Sequence, residues 1–185
     1  MPSRIDPLPL PSRSGSGFRR STTPSSSSTS PSIPVVRSVP TGDGNLEVNA
    51  NVQFLNNKVR PASDIEFFVL RDDLDTIVKR SGIPIPIREG IKTAAELWAR
   101  SIQSGYQYPG VAAHIRNALA ESNLARIKTD ARGLAKVSSL APGTYHIVGT
   151  APLGQVGVVW SKPFYIESGR TNQLNLDLRG ASWAQ

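Results

Sequence analysis

Residues 128–150 read K-T-D-A-R-G-L-A-K-V-S-S-L-A-P-G-T-Y-H-I-V-G-T, and the order of their signals decides the fold class. A polar stretch, Thr129-Asp130-Ala131-Arg132-Gly133, separates two short runs of period two, residues 125–128 and 134–137. Gly133 supplies the positive φ that such a turn demands. Ala141-Pro142-Gly143-Thr144 then places Pro at i+1 and Gly at i+2, the signature of a type II turn.

Alternation continues outward on both sides. Strands are expected at 144–150, 155–161, 164–167 and 173–178, separated by Gly154, Pro163 and Ser168-Gly169. Upstream, Leu46, Val48, Ala50, Val52 and Phe54 alternate with Glu47, Asn49, Asn51 and Gln53, which reads as a half-buried strand with one wet face. Asn56-Asn57 makes a turn, and residues 64–70 (D-I-E-F-F-V-L) read as a second, more deeply buried strand. Strands at this spacing with turn signals between them point to a mainly β protein, a sandwich of about seven strands.

The period changes to helical over residues 72–122, an insertion of about three helices after the second strand. Asp72 and Asp75 stand at the positive end of the first helix, Leu74, Ile77 and Val78 share its face, and Lys79-Arg80-Ser81-Gly82 closes it. Pro84 and Pro86 break the chain. Thr93-Ala94-Ala95-Glu96 matches a capping box, and Ala94, Ala95, Trp98 and Ile102 form an apolar stripe ending at Gly105. That stripe needs a partner surface, with Trp98 as the pin that holds the insertion to the sheet. A third helix is expected from Pro109, whose missing N–H suits a first helical position, with Val111, Ile115, Ala118, Leu119 and Ser122 inward.

Two motif groups carry a family resemblance. Lys128-Thr129-Asp130-Ala131-Arg132-Gly133-Leu134-Ala135-Lys136-Val137, followed by Leu140-Ala141-Pro142-Gly143-Thr144-Tyr145, resembles the carboxypeptidase regulatory-like domains of bacterial proteins, with their pattern T-D-x-x-G-x-[FA]-x-[FV] and L-x-P-G-x-Y. Val59-Arg60-Pro61-Ala62 and Ile65-Glu66-Phe67-Phe68-Val69-Leu70 are similar to the second strand of those domains. The resemblance implies a transthyretin-like, also called starch-binding-like, sandwich in a surface or secreted protein. The helical insertion departs from that pattern. So does the lack of a secretion signal ahead of it. The regulatory-like domain carries none of a carboxypeptidase's zinc ligands and none appear here, so the peptidase label does not transfer.

Residues 1–44 hold 8 of the 15 prolines and 12 serines, with no apolar period. Such a stretch cannot bury enough surface to offset its ordering entropy, so a disordered Pro/Ser-rich tail or linker is expected there, with a folded domain over 45–185. Ile5-Asp6-Pro7-Leu8-Pro9-Leu10 is too interrupted to be the apolar core of a signal peptide. No apolar run is long enough for a transmembrane helix. The chain carries 21 Lys and Arg against 14 Asp and Glu. Arg4, Arg13, Arg19, Arg20 and Arg37 lie in the tail, and only Arg19-Arg20 are adjacent. A dispersed excess aids solubility and loose adhesion to polyanions, and no specific nucleic-acid partner is expected.

Chemistry is sparse. Cysteine is absent, which removes disulfides, thiolate metal sites and a thiol nucleophile together. His146, with Ser138 and Asp130 in its neighbourhood of sequence, lacks a nucleophile-elbow motif and reads as a strand histidine. His114 reads as a surface residue of the third helix. Asp72, Asp73 and Asp75 lack the Gly and the distal acid of a calcium loop, and helix capping accounts for them. No catalytic residue, metal site or cofactor is expected. The segment Ser104-Gly105-Tyr106-Gln107-Tyr108-Pro109-Gly110 is different: Tyr106 and Tyr108, in a Gly-bounded loop, are the candidate ligand-binding residues, able to stack on a sugar or a peptide. Trp160 shares its strand face with Val156 and Val158 and belongs to the core; Trp183 lies beyond the last strand and covers an edge. These features favour a non-enzymatic structural or binding module for protein or glycan at a bacterial surface or in the periplasm. An accessory domain of an enzyme encoded elsewhere is the alternative, and a cytosolic interaction protein whose basic tail touches nucleic acid is a second.

Overall fold

The alternating residues of the first strand build one sheet around themselves. The structure, a computed structural model, describes residues 42–53, 58–153 and 156–184, and all structural statements concern these. Strand β1 (Gly44–Gln53) buries Leu46, Val48, Ala50 and Val52 and turns Glu47, Asn49 and Asn51 toward water. Strand β2 (Val59–Pro61) pairs antiparallel with its last three residues. Strand β3 (Glu66–Leu70) leads into helices α1 (Leu74–Arg80), α2 (Ala94–Gln103) and α3 (Val111–Ser122), with a 3₁₀ turn at Ile87–Glu89. Strands β4 (Ala125–Lys128), β5 (Leu134–Leu140), β6 (Gly143–Leu153), β7 (Val156–Ile166), β8 (Thr171–Leu176) and β9 (Trp183–Ala184) complete the chain.

In the first sheet β1 is flanked by β5, antiparallel, and by β8, parallel from Asn45↔Thr171 to Ala50↔Leu176. The second sheet has the order β4-β3-β6-β7-β9 and is antiparallel throughout. Its inner face, with Phe67, Val69, Tyr145, Ile147, Val158 and Trp160, packs on the first sheet. Its other face, with Phe68, Leu70, Val148 and Val159, packs on the three helices. A strand buried on both faces needs apolar residues at every position, which is why residues 67–70 lose the alternation that marks β1. The fold is mainly β, a two-sheet sandwich with a helical layer over one sheet.

Phe67, Gly149 and Trp160 lie side by side across β3, β6 and β7. The two rings meet at 5.7 Å over the glycine that separates them. Tyr145 explains the L-x-P-G-x-Y motif: its hydroxyl donates to the Ala141 carbonyl at 2.6 Å, closing the β5–β6 corner. The Arg71 guanidinium lies 4.0 Å over the same ring, and Phe164 stacks beside it.

Several expectations are corrected. Nine strands occur among the described residues, because β2 and β9 are too short to show a period. Residues 155–161 and 164–167 belong to one strand, β7, which runs through Pro163. Ser161 N–H points to the outer edge, toward Ser182 Oγ at 3.0 Å. Pro163, two residues on, faces the same way, so its missing N–H costs no bond to β6. Gly143 has φ 142°, not the value near 80° of a type II turn, and already pairs with Ile166 as the first residue of β6. Gly133 does take φ 76° in its turn. The cap of α1 is Asp73, which accepts from Thr76 N–H at 2.7 Å. Asp72 instead pairs with Arg80, and Asp75 reaches across to accept Ala94 N–H at 2.8 Å, capping α2. Thr93 accepts from Glu96 N–H as a box requires, but Glu96 returns the bond to Lys92 N–H, one residue early. Helix α3 begins at Val111 after Gly110 in the left-handed region, so Pro109 lies outside it.

On α2 the stripe is wider than expected and rotated. Leu97, Ala99 and Ser101 are buried together with Ala94, Ala95 and Trp98, whereas Ile102 is 46% exposed. The helix is wedged between β7 and α3 and so is covered from two sides. Trp98, 3% exposed, belongs to the same core cluster as Phe68, Val148 and Val159. Of the expected tail only 42–44 are described, and Gly44 already opens β1 opposite Leu140. Phe54, the Asn56-Asn57 turn and Gly154 lie outside the described residues.

Candidate functional site

The link between α2 and α3 is tied down by its own backbone. Gln107 and Tyr108 N–H both reach the Ser104 carbonyl, and Val111 N–H reaches the Tyr108 carbonyl. Gly110, at φ 77°, turns the chain into α3. On this frame the two tyrosines separate. Tyr108 is half-buried against the helical core and its hydroxyl donates to Glu89 at 3.2 Å. Burial first, and the Glu89 carboxylate second, push that hydroxyl above its ordinary pKa. Tyr106 is 83% exposed. The structure therefore makes Tyr108 a buttress and leaves Tyr106 as the accessible aromatic.

An open groove of about 610 Å³ runs between the helical layer and the start of β3. Phe68 and Trp98 form its floor, and Ile65, Ile102, Ala112 and Ala113 its apolar walls. Ile102 lies just before the Tyr106 loop in the chain and Ala112 just after it. Glu66 stands on the rim and accepts hydrogen bonds from two guanidiniums, Arg116 of α3 at 2.7 Å and Arg126 of β4. Arg126 also lies 5.8 Å over the Phe68 ring. Asp64, at φ 65° in the turn before β3, pairs with Lys128 at 2.7 Å. Neither rim carboxylate is left without a cation.

Sequence reasoning found the loop and missed the groove. Its walls come from residues 63–68, 98–102, 112–116 and 150, which only the tertiary fold brings together. One signal was available: Glu66 stands between Ile65 and the apolar run F-F-V-L that follows it, a position that asks for a partner.

The other candidate chemistry is accounted for by structure. His146 Nδ1 lies 3.2 Å from the Arg71 carbonyl, and His114 is exposed on α3. Asp72, Asp73 and Asp75 are drawn to three different partners. Among the described residues no group of three or more His, Cys, Asp or Glu is arranged to hold a metal ion, and no helix is long and apolar enough to cross a membrane.

No protein-family model matches the sequence, and no curated protein does. Among solved structures the chain is similar to the minor pilin GBS52 of Streptococcus agalactiae, with 13% identity and a TM-score of 0.41. That alignment covers 75% of this chain and 44% of the pilin, so the chain spans under half the pilin's length. It is also similar to a candidate carbohydrate-binding protein of Pseudomonas aeruginosa, with 10% identity and a TM-score of 0.40, over 74% of this chain and 89% of that one. A third likeness is to the pilus backbone protein RrgB of Streptococcus pneumoniae, with 11% identity and a TM-score of 0.33, over 71% and 39% of the two chains.

Proposed function

We propose that the chain is a non-enzymatic β-sandwich module with a binding role toward glycan or protein, working at a bacterial surface or in the periplasm. Its contact site is the helical insertion. One observation carries this reading: Tyr106 is 83% exposed on a loop tied by its own backbone bonds, while Phe67, Phe68, Trp98, Tyr145 and Trp160 are all buried. Aromatic area normally goes to burial, so a rigidly presented exposed ring is a surface for stacking. In this reading Tyr106 touches ligand and Tyr108 holds the loop in place.

The non-enzymatic part is supported by the groove's own groups. Glu66 and Asp64, its two carboxylates, are both engaged by cations. The setting outside the cytoplasm rests on the T-D-x-x-G and L-x-P-G-x-Y motifs, which resemble those of carboxypeptidase regulatory-like domains. Those motifs fold as working turns here, through Gly133 and the Tyr145–Ala141 bond.

The test uses the full chain on a glycan array and on a displayed random-peptide library, beside Tyr106→Ala and Tyr108→Ala. Tyr106→Ala should weaken binding by about tenfold or more and leave the melting temperature unchanged. Tyr108→Ala should lower the melting temperature as well. Binding indifferent to Tyr106, or no binder in either collection, would overturn the proposal.

A further inference from the structure

The groove between the helical layer and β3 has a chemical preference of its own, and we propose that it takes an acidic protein segment in which an aliphatic side chain lies close to a carboxylate. This rests on the insertion being a binding surface and names what that surface selects.

The walls favour aliphatic groups. Ile65, Ile102, Ala112 and Ala113 line them, and the two rings of the floor are already covered, Phe68 2% and Trp98 3% exposed. A sugar would find methyl groups there instead of an aromatic face to stack on. The rim favours a carboxylate. Arg116 and Arg126 converge on Glu66, and Lys128 pairs with Asp64, so three cations face two acids and one positive charge is uncompensated. Both guanidiniums are more than half exposed, and each carries five N–H donors in a fixed plane. Glu66 holds the two forks together before any ligand arrives, so little side-chain freedom is lost on binding. The two preferences are also in line. Arg116 follows Ala112 by one helical turn, which sets the cation and the methyl wall along one face of α3. A ligand carboxylate at Arg116 therefore lays its neighbouring side chain against Ala112 and Ile102. The chain's overall excess of positive charge steers acidic partners toward it.

The experiment pans a displayed random-peptide library against the immobilised full chain and follows a fluorescent synthetic copy of the enriched sequence by anisotropy. Enriched peptides should combine Asp or Glu with Leu, Ile or Val within a few residues. Affinity should fall several-fold as salt rises from roughly 50 to roughly 300 mM, since the rim is exposed to screening. Arg116→Ala should weaken binding by about tenfold, Arg116→Lys by less, and Ile102→Ser by a similar factor to Arg116→Ala. Arg80→Ala, at a salt bridge away from the groove walls, should change nothing, and all four variants should melt like the parent. Enriched peptides without acids, or binding indifferent to Arg116 and Ile102, would overturn this inference. If the chain instead binds only glycans, with loss on Tyr106→Ala and none on Arg116→Ala, the binding-module reading survives and the acidic-segment inference fails. If neither collection yields a binder, both fail.

Discussion

Thr129 shows what one buried hydroxyl can hold together. It is 4% exposed; its Oγ accepts from Ile65 N–H at 2.8 Å and donates to the Ala62 carbonyl at 2.6 Å. Those two backbone groups sit where the chain turns into β3. Thr129→Val keeps the shape and orphans both, so it should cost about 1–3 kcal/mol in urea denaturation, and Thr129→Ser should cost much less. The next residue, Asp130, accepts from Leu134 N–H and Arg132 N–H, and these bonds hold its carboxyl below the usual carboxylate range. Asp73 is held down in the same direction, chiefly by Thr76 N–H at the start of α1. A carboxyl whose pKa is lower in the folded state adds stability above its unfolded value and loses it as pH falls through the folded one. The melting temperature should thus stay level down to about pH 5 and fall below about pH 4. The fall should be shallower in Asp73→Asn and Asp130→Asn, and an unchanged acid limb would count against this account. Gly133 and Asp130 could be read from sequence as turn residues, because their roles are local. The Thr129 bonds could not, because their partners lie more than sixty residues away.

At the scale of elements, β6 and α2 show where pattern ends and packing begins. Gly149 interrupts the apolar run of β6, and a strand glycine ordinarily marks a close approach. Here a Cβ would meet the Phe67 ring at 2.3 Å and the Glu66 carbonyl at 2.9 Å. Gly149→Ala should destabilise by about 1–3 kcal/mol through overpacking, and crystallography should show the Phe67 ring displaced from Trp160. Trp98→Ala removes the centre of the helical core and should cost about 3–5 kcal/mol by chemical denaturation. A loss below about 1 kcal/mol would mean that Leu97 and Ile115 hold the helices to the sheet without it. The alternation of β1 was legible because one face is wet and the other dry. The exposure of Ile102 was not, since a period of 3.6 locates an apolar stripe but not how far two neighbours wrap around the helix. Pro163 was misread for a related reason: whether a proline breaks a strand depends on which way its nitrogen faces, and that is set by the partner strand.

For the whole molecule, the decisive fact is that one sheet serves two cores. Phe67 and Val69 face the sandwich while Phe68 and Leu70 face the helices, so neither layer can loosen without exposing the other's sheet. Helical circular dichroism and tryptophan fluorescence should therefore trace one coincident urea transition; helices melting ahead of Trp160 would show two independent units. This sharing was visible in outline as the unbroken run at 67–70, whereas the groove above it was not, since its walls belong to four separate stretches. The pairing of β1 with β8 carries a different consequence, one of mechanics. The two strands are parallel and joined through six consecutive residue pairs. Tension entering before Gly44 and leaving after Leu176 would draw them past each other lengthwise. Every bond between them would bear the load at once, in shear, and none could be peeled open singly from an end. A domain threaded this way resists being pulled far better than its equilibrium stability alone would indicate, because forced unfolding is governed by the unfolding rate.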